Sequence, residues 1–268
     1  MTYETIRLET DDRGVARVTL ARAAKHNAMN AQMIMELHAV CRVLDSDHAV
    51  RVVVLAADGP TFCAGGDLGW MRDQMGKDRA GKIAEAALIA EMLAAWNALS
   101  KPVVARIQAA AYGGGLGLIA VSDIAIADED VKLALTETRL GLVPATIGPF
   151  VVNKLGQAFA RQVFFSSIPF GAELGLRSGL LAQVCPPSGL DAAVEATVLG
   201  LLDCAPGAVA DAKSLCQRLA GQDPADALEL SVNALADRWE TEETARGIAA
   251  FFARESPPWQ AHKQEREA

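Results

Sequence analysis

The chain has 268 residues, 51% hydrophobic and 22% charged, enough for one large α/β domain with an appendage, and nothing in it points to disorder. Its formal net charge of −8 argues against a nucleic-acid or anionic-membrane partner. Five cysteines, at 41, 63, 185, 204 and 216, are widely spread with no CxxC and no histidine in metal-ligand spacing, the pattern of reduced thiols rather than of disulfides or a metal site.

The opening "MTYETIRLETDDRG" is polar from the start, and no apolar run is long enough to span a bilayer, so a cytoplasmic chain is expected. "TYETIRLET" and "VARVTLA" alternate with period two around "DDRG", which predicts a hairpin. Next, "NAQMIMELHAVCRVLDSD" sets Met33, Leu37, Val40 and Leu44 on one helical face, with Asn30 as its N-cap. "RVVVLAA" reads as a buried strand that leads into the loop "DGPTFCAGGD". A long Ala-rich helix fits 78–99, and "KPVVARIQA" is another buried strand running into three glycines. Beyond them the sequence predicts a helix near 116–122, a strand at "IAIAD", a short one at "KLAL" and then "TETRLGLVPATIGPF". Alternating strands and helices imply crossover connections. After about residue 190 the pattern is wholly helical.

Two glycine-rich junctions stand out, "CAGGD" at 63–67 and "YGGGLG" at 112–117, each after a buried strand and each entering a helix. A helix N-terminus presents unpaired N–H groups and a partial positive charge, and glycine lets a ligand approach that backbone. No Lys-Ser/Thr follows "YGGGLG", which argues against a P-loop, and the spacing is wrong for a dinucleotide fingerprint. Two separated N–H donors suit one oxygen that becomes negative during reaction. Taken alone, such glycines are better accounted for by tight helix–strand packing.

"FCAGGDL", "KPVVARIQAAAYGGGLGL", "SDIAIA", "LTETRLGLVP" and "GIAAFFARESPPW" follow the order and spacing of the enoyl-CoA hydratase/isomerase (crotonase) family, which the chain resembles over nearly its whole length. "ARAAKHNAMN" is similar to that family's adenine-contacting "RPxxxNAL" segment, without its proline. The resemblance implies an α/β fold, a crotonase-type spiral of ββα units over 1–195 with a C-terminal helical trimerisation region over 196–268. It implies homotrimers or hexamers and an acyl-CoA substrate, with coenzyme A as part of that thioester and no separate cofactor or metal. By the same resemblance the N–H groups of Gly66 and Gly114 hold the thioester oxygen. Lys25, Asn27, Ala28, Ala64, Asp67, Leu68, Trp70, Met71, Gly117 and Arg254 are then the expected substrate-binding residues.

Hydratases of this family commonly carry two glutamates; here the first position is Gly117 and the second is Glu137. One carboxylate can shuttle a proton, as allylic isomerisation of a 3-enoyl-CoA requires. Hydration would need Glu137, or an ordered water, to activate the nucleophile as well. The bland alternative for Glu137 is a surface carboxylate, and Asp123 reads as a structural acid at a helix end. "GDLGWMRDQM" and "RLGLVPATIGPFVVNKLGQAFAR", together with the missing first acid, resemble bacterial 3-methylglutaconyl-CoA hydratases of leucine breakdown. In that reading Trp70 and Met71 line the acyl pocket, with ordinary core packing as the alternative. Arg72, Arg139 and Lys154 are candidate cations for a second substrate carboxylate. Histidines 26, 38, 48 and 262 offer no catalytic partner. The expected activity is hydration of a 2-enoyl-CoA, branched or of 3-methylglutaconyl type. A Δ3–Δ2 enoyl-CoA isomerase and a catalytically weak CoA-ester binder are the alternatives.

Overall fold

In the computed structural model, which describes residues 2–260, the strands are Ile6–Thr10 (β1), Val15–Leu20 (β2), Val52–Ala57 (β3), Val103–Ile107 (β4), Ala111–Tyr112 (β5), Ile124–Asp128 (β6), Leu133–Ala134 (β7) and Gln183–Cys185 (β8). The expected hairpin forms: β1 and β2 pair antiparallel, Ile6 opposite Leu20. All later pairings in the large sheet are parallel, in the order β1-β2-β3-β4-β6-β8. Every residue of β3 is buried, as a strand covered on both faces must be.

A second, narrow layer sits beside this sheet. Met29 bridges Gly66, Cys63 bridges Ala111, β5 pairs with β7, and Leu133 bridges Phe170. Each pass therefore adds one strand to the large sheet and one short stretch to the small layer before a helix carries the chain back. Repetition of that step is the ββα spiral.

The helices that close the early turns are Ala31–Ser46 (α1), Leu68–Met75 (α2), Arg79–Ala98 (α3), Gly114–Val121 (α4) and Gly148–Ser166 (α5). Asn30 caps α1 by accepting the Met33 N–H, and Met33, Leu37, Val40 and Leu44 are all buried, as their spacing predicts. Trp96 of α3 is fully buried and donates its indole N–H to the Leu37 carbonyl at 2.9 Å. Ala172–Arg177 (α6) follows, and Leu190–Leu202 (α7) covers the opposite sheet face. There Val194 and Val198 pack with Val54, Val104 and Ile126, each apolar side chain contributing roughly 1.5–3 kcal/mol. Asp123 accepts the Val103 N–H and the Lys213 ammonium, the structural role read for it.

Pro206–Leu219 (α8), Pro224–Trp239 (α9) and Glu242–Ala253 (α10) form the late helical region and hold no buried residue. Leu228, Val232, Leu235 and Trp239 recur at steps of four, three and four along α9, each 61–67% exposed. Among the described residues no single helix is long and apolar enough to cross a membrane.

Candidate active site

The chain leaves β3 through Cys63–Gly66 and enters α2; it leaves β5 through Gly113 and enters α4. Gly65 has φ +90° and Gly113 φ +49°, backbone that side-chain-bearing residues rarely adopt. The crowding is as strict as the torsions. A Cβ on Gly65 would lie 3.1 Å from the Tyr112 carbonyl oxygen and 3.8 Å from Gly113 Cα. The two glycine junctions, 48 residues apart in sequence, therefore touch.

Hydrogen bonds fix both junctions without using the donors of interest. The Met29 N–H donates to the Gly65 carbonyl at 2.7 Å and the Asp67 N–H to the Met29 carbonyl at 2.9 Å, which pins the backbone on either side of Gly66. The Gly113 N–H donates to the Ala134 carbonyl at 2.9 Å and anchors the start of α4. Neither the Gly66 nor the Gly114 N–H donates to a turn or loop carbonyl among the described residues. Gly114 is the first residue of α4, where a helix has no internal acceptor for its N–H and carries partial positive charge.

Glu137 opens a short 3-10 turn, Glu137–Leu140, just past β7. A Cβ on Gly113 would lie 3.1 Å from its Oε1, so the carboxyl group rests on the glycine junction. Its Oε2 is buried and has no hydrogen-bond partner among the described residues. Burial pushes the Glu137 carboxyl above the ordinary carboxylate range, against the opposing pull of the Glu137 and Thr136 N–H groups. A carboxyl group with an unpartnered oxygen and a raised affinity for its proton, beside two free N–H groups, is equipped to move a proton next to a developing oxyanion.

The wall next to Gly66 is made by α2. A Cβ on Gly66 would meet Met71 Cγ and Sδ at 3.3 Å and Trp70 at 3.7 Å. The Trp70 indole N–H donates to Glu85 Oε2 at 3.0 Å, and the Lys77 ammonium holds the other oxygen of Glu85. Leu68, 82% exposed, begins the same helix. Gly66, Gly114, Glu137, Trp70 and Met71 thus come together as the sequence implied.

Four expected roles are corrected. The Asn27 side chain, 0% exposed, accepts the Arg22 N–H and donates to the Asp58 and Thr61 carbonyls, so it shapes the segment and is buried away from any ligand. Asp67 caps α2 through the Gly69 and Trp70 N–H groups and pairs with Arg22 at 3.1 Å, so its carboxylate also builds the loop. Burial alone would raise its pKa, but those hydrogen bonds prevail and lower it. Lys154 donates to the Ser122 carbonyl at the end of α4, and burial lowers its pKa; it caps a helix rather than awaiting a substrate carboxylate. Gly117 opens no room for an acyl group, because a Cβ there would lie 2.6 Å from Ile147 Cγ2.

Of the remaining candidates, Lys25 is exposed, and Ala64 donates its N–H to the His26 carbonyl at 3.0 Å. Ala28 accepts from the Arg22 guanidinium. Arg254 is the exposed left-handed C-cap of α10, joined to the other candidates by no hydrogen bond or ion pair. Arg72 and Arg139 are exposed, and His262 lies outside the described residues. Sequence reasoning missed Arg22, Met29, Glu85 and Ile147. Arg22 lies inside the quoted "ARAAKHNAMN", but its bond to Asp67 spans 45 residues and leaves no local signal. Two surface cavities, of about 400 and 250 Å³, lie beside Arg51 and Trp259 and beside Arg17 and Val194, and neither is lined by Glu137.

A family model described as enoyl-CoA hydratase/isomerase matches residues 10–263. A protein named "Probable enoyl-CoA hydratase" from Rhizobium meliloti is 30% identical, the match covering 95% of this chain and 97% of that one. A crystal structure of an enoyl-CoA hydratase from Shewanella pealeana superposes with a TM-score of 0.92 at 34% identity, covering 96% of each chain. One from Mycobacterium smegmatis superposes at 0.91 with 29% identity, covering 96% of this chain and all of that one.

Proposed function

The chain belongs to the enoyl-CoA hydratase/isomerase family, and from that premise we propose that it hydrates a 2-enoyl-CoA thioester in the cytoplasm, with a branched or 3-methylglutaconyl-type acyl group favoured. The observation that carries this reading is the Glu137 carboxyl group, resting on Gly113 with one buried oxygen unpartnered. Coenzyme A enters as part of the substrate. The Gly66 and Gly114 N–H groups receive the thioester oxygen. Glu137 takes a proton from water as its oxygen bonds to C3, and the electrons move onto the thioester oxygen as an enolate. Glu137 then returns the proton to C2. Each donor aimed at that oxygen contributes about 3–4 kcal/mol to the transition state. Arg72 and Arg139, exposed and without ion-pair partners among the described residues, are the cations left to meet a second carboxylate.

A second reading is favoured by the single carboxyl group. In a Δ3–Δ2 isomerase Glu137 removes a proton from C2 of a 3-enoyl-CoA and returns it to C4, with no water involved. A site that binds the ester and turns it over weakly is the third. Purified protein assayed with crotonyl-, 3-methylglutaconyl- and 3-hexenoyl-CoA separates them. Water addition to 3-methylglutaconyl-CoA above crotonyl-CoA is the expected result. Turnover of 3-hexenoyl-CoA alone overturns the hydratase reading, and binding without turnover overturns both enzymatic ones.

A further inference from the structure

We infer that Ile147 determines specificity: it fills the place of a second acid and turns that part of the acyl site into an apolar wall. This deepens the enoyl-CoA reading and rests on it. By the resemblance drawn from the sequence, Gly117 stands where a first glutamate is expected. A Cβ built there would lie 2.6 Å from Ile147 Cγ2, 3.2 Å from Ile147 Cβ and 3.4 Å from Leu93 Cδ1. Ile147 is 2% exposed at the N-cap of α5, and Leu93 of α3 is fully buried. Two helices, α3 and α5, thus close on the bare face of α4.

That face adjoins the site. Gly117 stands four residues after Gly113 and directs its N–H at the Gly113 carbonyl, one helical turn away. Gly113 is the residue on which Glu137 Oε1 rests. One turn from the carboxyl group, the structure therefore places methyl groups that neither donate nor accept a hydrogen bond. A water there would have no partner on the Ile147 side. Glu137 alone therefore activates the water and returns its proton, and the substrate carbon facing Ile147 carries an alkyl branch. Gly117 and Ile147 are two halves of one change: neither a second acid nor an unbranched acyl chain suits the wall as it stands.

The test begins with a thermal cycle that needs no substrate, on the parent, Gly117→Ala, Ile147→Gly and the double variant. Ala is ordinarily the better helix residue. Gly117→Ala should lower the melting temperature in the parent and raise it in the Ile147→Gly background. Equal tolerance in both backgrounds overturns the inference. Next, Gly117→Glu is placed in the Ile147→Gly protein. Its kcat/KM for crotonyl-CoA hydration should exceed that of Ile147→Gly at least tenfold, with a fall in the ratio of 3-methylglutaconyl- to crotonyl-CoA use. Its pH–rate profile should gain a second limb as two nearby carboxylates compete for a proton. If that protein does not fold, Ile147→Gly alone decides: its ratio of 3-methylglutaconyl- to crotonyl-CoA use should fall, and a ratio equal to the parent's overturns the inference. A folded protein no better than Ile147→Gly, beside an active parent, overturns the inference alone. A parent that turns over no enoyl-CoA overturns the underlying reading and this inference with it.

Discussion

Glu137 has two consequences of one cause. Its carboxyl group is buried with Oε2 unpartnered, so the neutral form is favoured and the pKa rises. In catalysis that places a proton where it can be given and taken back. Glu137→Gln keeps the shape but cannot carry the proton, so turnover should fall by about 10² to 10⁴-fold with acyl-CoA affinity nearly unchanged. A rate within a few-fold of the parent would exclude Glu137 as the proton carrier. For stability the sign is fixed by linkage. A carboxyl group whose folded pKa lies above its unfolded value, roughly 4, holds more protons in the folded state. Stability is then lost as pH rises from the unfolded value through the folded one. Gln cannot ionise, so Glu137→Gln should melt higher than the parent at pH 7, with the gap closing below pH about 4. A gap that widens on acidification would contradict the burial argument.

Elements differ in how much of their placement the sequence declares. α1, its Asn30 cap and β3 are legible because a local period fixes which side chains are buried. The glycine junctions are legible as junctions, but their meeting is a product of the spiral, which stacks Gly65 on Gly113. α4 begins at Gly114, two residues before the expected start, because a run of glycines hides a helix N-terminus from any apolar period. The filling of the Gly117 face was not legible, since Ile147 reads in sequence as one more apolar residue. Nor was the tie between α2 and α3. No residue of α2 is buried, so the Trp70–Glu85 hydrogen bond and its Lys77 partner hold the wall beside Gly66. Loss of a hydrogen bond is worth about 1 kcal/mol, roughly fivefold in a binding constant. Glu85→Ala should therefore raise KM about fivefold, shift tryptophan fluorescence and leave kcat near the parent value. Glu85→Gln, still able to accept the indole N–H, should restore KM. Unchanged KM and fluorescence in Glu85→Ala would mean that Trp70 is held by packing alone.

For the whole molecule, the boundary expected at 195 falls inside α7, whose Val198 and Leu202 beyond it are still buried on the sheet, and we propose that the helices after α7 make the oligomer contacts. α7 still seals the sheet with four buried side chains, whereas α8, α9 and α10 bury none. Three helices of this length with no buried residue leave apolar surface that a lone chain does not cover. The stripe of Leu228, Val232, Leu235 and Trp239 is that surface at its most regular, and Phe251 and Phe252 add to it from α10. Patches of this kind on a folded chain mark interaction sites. In the trimer or dimer of trimers that we propose, α9 faces a second copy, and a charge inside such a contact is costly unless paired. Val232→Glu with Leu235→Glu places two carboxylates mid-stripe, on side chains now exposed, so the chain's own core loses no packing. Sedimentation should then find the mass reduced from the oligomer to the single chain, while the far-ultraviolet dichroism of the helices is retained. A doubly substituted protein that keeps the parent's mass would place the subunit contact elsewhere. A parent that sediments as a single chain would remove the oligomer altogether and leave the stripe for a different partner.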